Sequence, residues 1–235
     1  MTKLVWAILL TLCVGTADTQ TIRRRPPTYY GGGTATLTID DSSSGTSAAS
    51  STVSASHVFT TNSNRYAIIF VGVSSNSYRP DSIDVGGPNA TLDTLLTSGD
   101  WQTLSCWKID DPPTGAQTVT AYLNGSPVDA VIGIFSFYSA SGVGTHAATW
   151  AASSASSSVN VSSATGEYVV DAAYVYNGTS TMSAGAGQTV YITRDGGDGN
   201  GGMKGSIESG SATTTMSWSW TGSCENFLIA IPVKP

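Results

Sequence analysis

Charge is scarce in this sequence. Only 11% of its 235 residues are Asp, Glu, Lys or Arg, and ten basic residues face sixteen acidic ones. A chain so sparsely basic lacks the cationic stripe that neutralises phosphates, which argues against nucleic acid as its partner. Histidine is scarcer still, with only His57 and His146. Neither is spaced with a second metal ligand, and no Gly-x-Ser-x-Gly elbow occurs, so the sequence advertises no active site. Long apolar runs are missing as well. The longest, residues 4–17, falls short of the roughly 20 residues a membrane-spanning helix needs. The expectation is a non-enzymatic protein with no stable membrane span.

What is present is a 40% apolar share, with Ser, Thr, Gly and Ala filling the gaps. The apolar residues alternate, and no stretch of eleven keeps a helical period. Met216-Ser217-Trp218-Ser219-Trp220 puts large residues on one face and serines on the other. Phe227, Ile229, Ile231 and Val233 alternate along the last strand. Residues 65–73, 131–138 and 167–176 are nearly continuous apolar runs, as central strands require. Between these segments stand turn signals: Asp40-Asp41, Asn62-Ser63-Asn64, Gly86-Gly87-Pro88, Asp110-Asp111-Pro112-Pro113, Asn124-Gly125, Asn177-Gly178 and Asp195-Gly196-Gly197. About fourteen strands at spacings of roughly 8–14 residues give the rhythm of an all-β, two-sheet antiparallel β-sandwich, jelly-roll-like, over residues 34–235.

The N-terminal third of a hundred residues reads differently. Lys3 followed by an uncharged run to Ala17 has the length of a secretory h-region, with Gly15-Thr16-Ala17 at cleavage spacing. Residues 1–17 are therefore a signal peptide or a retained apolar segment, and the protein is expected outside the cell or on its surface. Residues 18–33 form an extended arm: Arg23-Arg24-Arg25, then Pro26-Pro27, Tyr29-Tyr30 and Gly31-Gly32-Gly33. The prolines stiffen it toward polyproline II, and the glycines supply a hinge. The arm carries a charge near +2. The 34–235 body, with six basic residues against fifteen acidic, is near −9. A basic arm beside an acidic body points to contact with a neighbouring copy; a merely solvated positive segment is the alternative.

Several pieces follow one another in a specific order. Residues 55–60 and 64–73 come first, then Asp84-Val85-Gly86-Gly87 and the strand of Trp107. Pro112-Pro113-Thr114-Gly115-Ala116-Gln117-Thr118-Val119 follows, then residues 184–189, Met216-Ser217-Trp218 and residues 231–235. This order resembles a widespread, uncharacterised β-sandwich domain of secreted bacterial surface and adhesin-like proteins. The resemblance covers roughly residues 45–235 and rests on scaffold motifs. It implies a fold and a compartment, and brings no catalytic residues with it.

The remaining candidates are binding features. Six aromatic residues, Tyr78, Trp101, Trp107, Trp150, Trp218 and Trp220, are candidates for a sugar platform. Trp218 and Trp220 read as core, and Tyr78 and Trp150, near turns, as the better exposed glycan contacts. Asn89, Asn160 and Asn177 head glycosylation sequons. Cys106 and Cys224, the two cysteines outside the leader, are either one disulfide or two free thiols. Asp195, Asp198 and Asn200 alternate with glycines in a pattern similar to one unit of a calcium repeat, and a flexible hairpin tip is the competing reading. Taken together the sequence leads to an extracellular subunit that assembles with copies of itself into a filament, fibril-like or pilus-like, through its arm. The alternative is a carbohydrate-binding or adhesive module.

Overall fold

A computed structural model describes residues 36–75, 77–98, 101–176, 181–196 and 201–235. The leader and the arm, residues 1–33, lie outside that set, as do Asn177, Asp198 and Asn200. The described residues form fifteen strands and no helix. In chain order they are β1 (Thr38–Ala48), β2 (Thr52–Phe59), β3 (Tyr66–Val73), β4 (Pro80–Val85), β5 (Thr91–Thr97), β6 (Thr103–Asp110), β7 (Gly115–Leu123) and β8 (Asp129–Tyr138). There follow β9 (Gly142–Val143), β10 (Ala147–Val161), β11 (Tyr168–Tyr176), β12 (Ser183–Ala184), β13 (Thr189–Asp195), β14 (Gly201–Ser209) and β15 (Thr214–Lys234).

The expected all-β antiparallel sandwich is there, with three sheets where the strand rhythm suggested two. A five-stranded sheet runs β1-β8-β3-β6-β5, a three-stranded sheet β2-β7-β4, and a seven-stranded sheet β10-β15-β11-β14-β13, with β9 and β12 added against β15. The five-stranded sheet is the middle layer. Its Ile68, Phe70, Leu104, Cys106, Phe135 and Phe137 pack against Val170, Ala172, Phe227, Ile229 and Ile231 of the seven-stranded sheet. Its other face, with Ala67, Ile69, Val71, Ile132 and Ile134, packs against Val53, Ile83, Val119 and Ala121 of the three-stranded sheet. This explains why β3 and β8 read as unbroken apolar runs: both faces of each strand are buried.

A third cluster covers the outer face of the seven-stranded sheet. Met216, Trp218 and Trp220 from the first half of β15 pack on Leu228 and Ala230 of its second half, together with Val169, Ala173 and Val175. One 21-residue strand touches itself only if it doubles back. The bend falls where the β10–β15 register breaks, around Ala151–Ser156, and where Gly222 takes φ +80°. The β10–β15 ribbon thus folds over its own sheet. Trp218 and Trp220 are 2% and 8% exposed, in agreement with their reading as core.

The turn signals correspond to real corners. Asn64 and Asp111 take φ +55° and +49°, and short polar side chains tolerate that left-handed backbone better than others do. The stack also depends on one close approach. A Cβ on Gly72 of β3 would run into the ring of Tyr174 on β11, whose hydroxyl lies 2.9 Å from Ser74 Oγ. Gly72→Ala is expected to force that ring off its seat and cost about 1–3 kcal/mol, read as a lower urea midpoint with an unchanged slope.

Candidate functional site

Both poles of the sandwich can be assigned from strand register. Thr38 opens β1 opposite Tyr138, and Tyr66 pairs with Phe137 and Asp110, so these residues mark the pole where β1 begins. Val73 pairs with Ala130 and Thr103, and Ala48 with Asp129, which marks the opposite pole. There the Ser74–Tyr174 contact joins the middle sheet to the seven-stranded one.

At this far pole a cleft opens between the two sheets, lined by Trp101, Ala152, Tyr176 and Glu225. Trp101 sits in the β5–β6 turn. Ser98 builds that turn: its hydroxyl accepts the N–H groups of Trp101 and Gln102 at 3.2 and 3.3 Å. The turn gives the indole no core to enter, and Trp101 stays 72% exposed. Tyr176 ends β11 two residues beyond Tyr174 and is 39% exposed. Ala152 of β10 contributes a small side chain, and Glu225 of β15, only 9% exposed, lines the wall with its carboxylate oxygens turned away from solvent. The cleft therefore presents two exposed aromatic rings, a surface on which a flat group can stack.

The other expected contacts do not meet here. Tyr78 packs over Gly125 beside the three-stranded sheet. Trp150 lies on β10 of the seven-stranded sheet and stacks on Phe227, centroids 6.3 Å apart. The middle sheet separates the two. Asn89 and Asn160 are exposed, as sequons must be, and Asn160 Oδ1 accepts from Thr215 Oγ1 at 2.8 Å. Asp195 ends β13 on the surface, its two expected calcium partners being outside the described residues. No three His, Cys, Asp or Glu side chains converge among the described residues. The disulfide alternative is corrected: Cys106 and Cys224 are free thiols. Cys106 points into the layer between the middle and seven-stranded sheets, whereas Cys224 packs under the ribbon on the other face of the latter. Burial raises both thiol pKa values.

Two buried polar networks resemble catalytic groups and are not arranged as such. Ser136 Oγ lies 2.9 Å from His57 Nε2 and donates to Asp40 Oδ2 at 3.0 Å. With that proton spent on Asp40, the imidazole Nε2–H donates to the serine, the reverse of a general base. Nδ1 then accepts from Ser43 Oγ at 2.8 Å. His57 and Ser136 are each 1% exposed, so substrate has no path to them. The network binds β1, β2 and β8 together. Deeper still, Asp171 on β11 accepts from Ser206 N (2.9 Å), Ser206 Oγ (2.6 Å), Trp218 Nε1 (2.7 Å) and Gln188 Nε2 (3.1 Å). It pins the folded-over ribbon through the Trp218 indole. Half-buried on β5, Asp93 bridges Lys108 Nζ at 2.6 Å and His146 Nδ1 at 2.7 Å.

No family model, curated protein or solved structure matches the chain. The functional reading therefore rests on its own residues.

Both networks leave a pH signature. Burial pushes the Asp171 carboxyl up to about 7, against the hydrogen bonds from Ser206 Oγ, Trp218 Nε1 and Ser206 N and with some help from Glu208. Its folded pKa exceeds the usual value near 3.9, so its contribution is most favourable below about pH 4 and is lost as pH rises toward 7. Asp171→Asn is expected to flatten that part of the stability–pH curve. Burial lowers the His57 pKa, opposed by Asp41 and Asp40. Its contribution is present above about pH 6.5 and is lost as pH falls below that. His57→Ala is expected to cost about 1–3 kcal/mol at pH 7.5, by leaving Ser43 and Ser136 without the ring, and to remove the acid-side loss. Urea melts between pH 4 and 8 check both slopes.

Proposed function

We propose that the protein is a non-enzymatic structural subunit of an extracellular assembly, joined to copies of itself through residues 18–33. The observation that carries this reading is the open edge of the seven-stranded sheet. Strand β13 is hydrogen-bonded to β14 on one side and to no strand on the other among the described residues. Six of its seven residues are exposed, Val190 and Tyr191 among them. A strand edge of this kind is a template for an added segment. The arm of a neighbouring copy, with Pro26-Pro27 in its sequence, has the composition to lie along it, and the opposite charge to be drawn to the body.

The groups that elsewhere perform chemistry are engaged here in packing. His57, Ser136 and Asp171 are buried and internally bonded, and His146 is tied to Asp93. That supports a role borne by surfaces. The carbohydrate-binding alternative through Tyr78 and Trp150 draws less support, because those rings stand on opposite sides of the middle sheet and cannot contact one sugar chain together as a platform.

Deleting residues 18–33 is the direct test. Negative-stain micrographs of the native protein are expected to show polymers, and those of the deletion variant only single particles. Polymers of normal length from the deletion variant would refute the role given to the arm.

A further inference from the structure

We propose that two copies of the protein join edge to edge through residues 156–161 of β10, antiparallel about a two-fold axis at Val159. The partner is a second copy of this chain, and the contact is independent of the arm.

The choice follows from how each sheet edge is closed. A strand with an unpaired side invites another strand, and proteins guard against this with charge, proline, register breaks or a covering segment. Among the described residues, β4 carries Pro80, Asp81 and Asp84. β5 carries Asp93 and a register break between Leu92 and Thr94. β13 carries Arg194 and Asp195, with a break between Val190 and Ile192. β1 and β2 close each other: Ser43 Oγ lies 2.8 Å from His57 Nδ1, and a Cβ on Gly45 would meet the Ser54 carbonyl. β9 and β12 are two residues long.

The second half of β10 has no such guard. The 15 residues of the strand include no charged residue and no proline, and its hydrogen-bonded neighbour is β15 alone. No backbone–backbone hydrogen bond joins residues 147–161 to any other described segment. The register breaks of β10 end at Ser156. Beyond them the pairing with β15 is regular, from Ser156 opposite Ser219 to Val161 opposite Thr214.

The residue pattern makes this edge complementary to itself. Residues directly opposite each other in an antiparallel pair point to the same face. With Val159 opposite Val159 of the second copy, Ser157 stands opposite Val161 and Ser158 opposite Asn160. Ser157, Val159 and Val161 are buried, and the two valines belong to the cluster under the folded-over ribbon. The apolar layers of the two copies therefore meet at the axis. Ser158 and Asn160 are exposed on the other face. Asn160 Oδ1 is taken by Thr215 Oγ1, which leaves its amide N–H groups to donate to the Ser158 hydroxyl of the second copy. Each copy offers the same residues, so the contact closes as a dimer. The ribbon layer then runs β12-β15-β10 through one copy and β10-β15-β12 through the next. The arm fits this edge poorly: its arginines find no carboxylate on β10, and Pro26-Pro27 bring no N–H to a ladder.

Two full-length variants, Ser158→Cys and Asn160→Cys, test the register. Both positions are exposed, and a thermal melt checks each fold. The pairing sets these positions opposite each other across the axis, within bridging distance. The expected result is a disulfide-linked dimer, mapped to positions 158 and 160, that is several times more abundant in an oxidised mixture of the variants than in either alone. Equal crosslinking in all samples overturns the pairing. Charge gives a second reading, by sedimentation equilibrium of the 18–33 deletion, which keeps every strand. Ser158→Lys with Asn160→Lys sets like charges opposite each other and is expected to weaken the dimer about tenfold, whereas Ser158→Lys with Asn160→Glu restores it. A double-lysine variant that dimerises like its parent overturns the proposal. So does a sugar chain on Asn160 of the native protein, which would fill the place of Ser158 of the second copy. The arm stands or falls separately: polymers retained by the 18–33 deletion refute its role while the 158–160 crosslink stands, and polymers lost on deletion with no such crosslink in the full chain refute the β10 pairing alone.

Discussion

The constraint on which the structure depends is the burial of β3, β6 and β8, the central strands of the five-stranded sheet, on both faces. Its strands contribute Ile68 and Phe70 to one layer and Ile69 and Val71 to the other, and each of these four residues is fully buried. A strand in that position has no solvent side on which to carry polar residues, so every side chain must find a packing partner or a hydrogen bond. Two polar residues of these strands show how. Ser105 donates to the Val71 carbonyl and accepts from the Trp107 indole, and Ser136 joins Asp40 and His57. The two outer sheets exist because the middle one needs two covers.

The strands themselves were legible in the sequence, because alternation and turn residues are local properties. The continuous apolar runs at 65–73 and 131–138 were readable as central strands for the same reason. The number of layers was not legible. Val53, Val119 and Ile83 carry the alternation of any half-buried strand, and nothing in their spacing states which sheet they face. The doubling back of β15 was equally hidden: Met216-Ser217-Trp218-Ser219-Trp220 reads as a strand facing a core, and the core it faces belongs partly to its own later residues.

The candidate site was half visible. Trp101 stood among the aromatic candidates, and its position after Ser98-Gly99-Asp100 marks a large ring in a turn, the signal that it lacks a core to enter. Tyr176 and Glu225 gave no such sign. Tyr176 closes an apolar strand and looks like one more core aromatic, and Glu225 is a lone acid in a long strand. Only the bend of β15 and the end of β11 bring them beside Trp101. In the same way nothing in the spacing around His57 marks it as the hub that links three strands.

The seven-stranded sheet carries a consequence for how the molecule is made. Its second strand in spatial order, between β10 and β11, is the last in sequence, and residues 227–233 supply much of the layer against the middle sheet. During synthesis β10 and β11 emerge with their shared neighbour still missing, whereas β1–β8 already hold every strand of the five- and three-stranded sheets. The molecule is thus built from its N-terminal layers outward, and the face of the middle sheet toward β11 stays uncovered until the last ribbon closes over it.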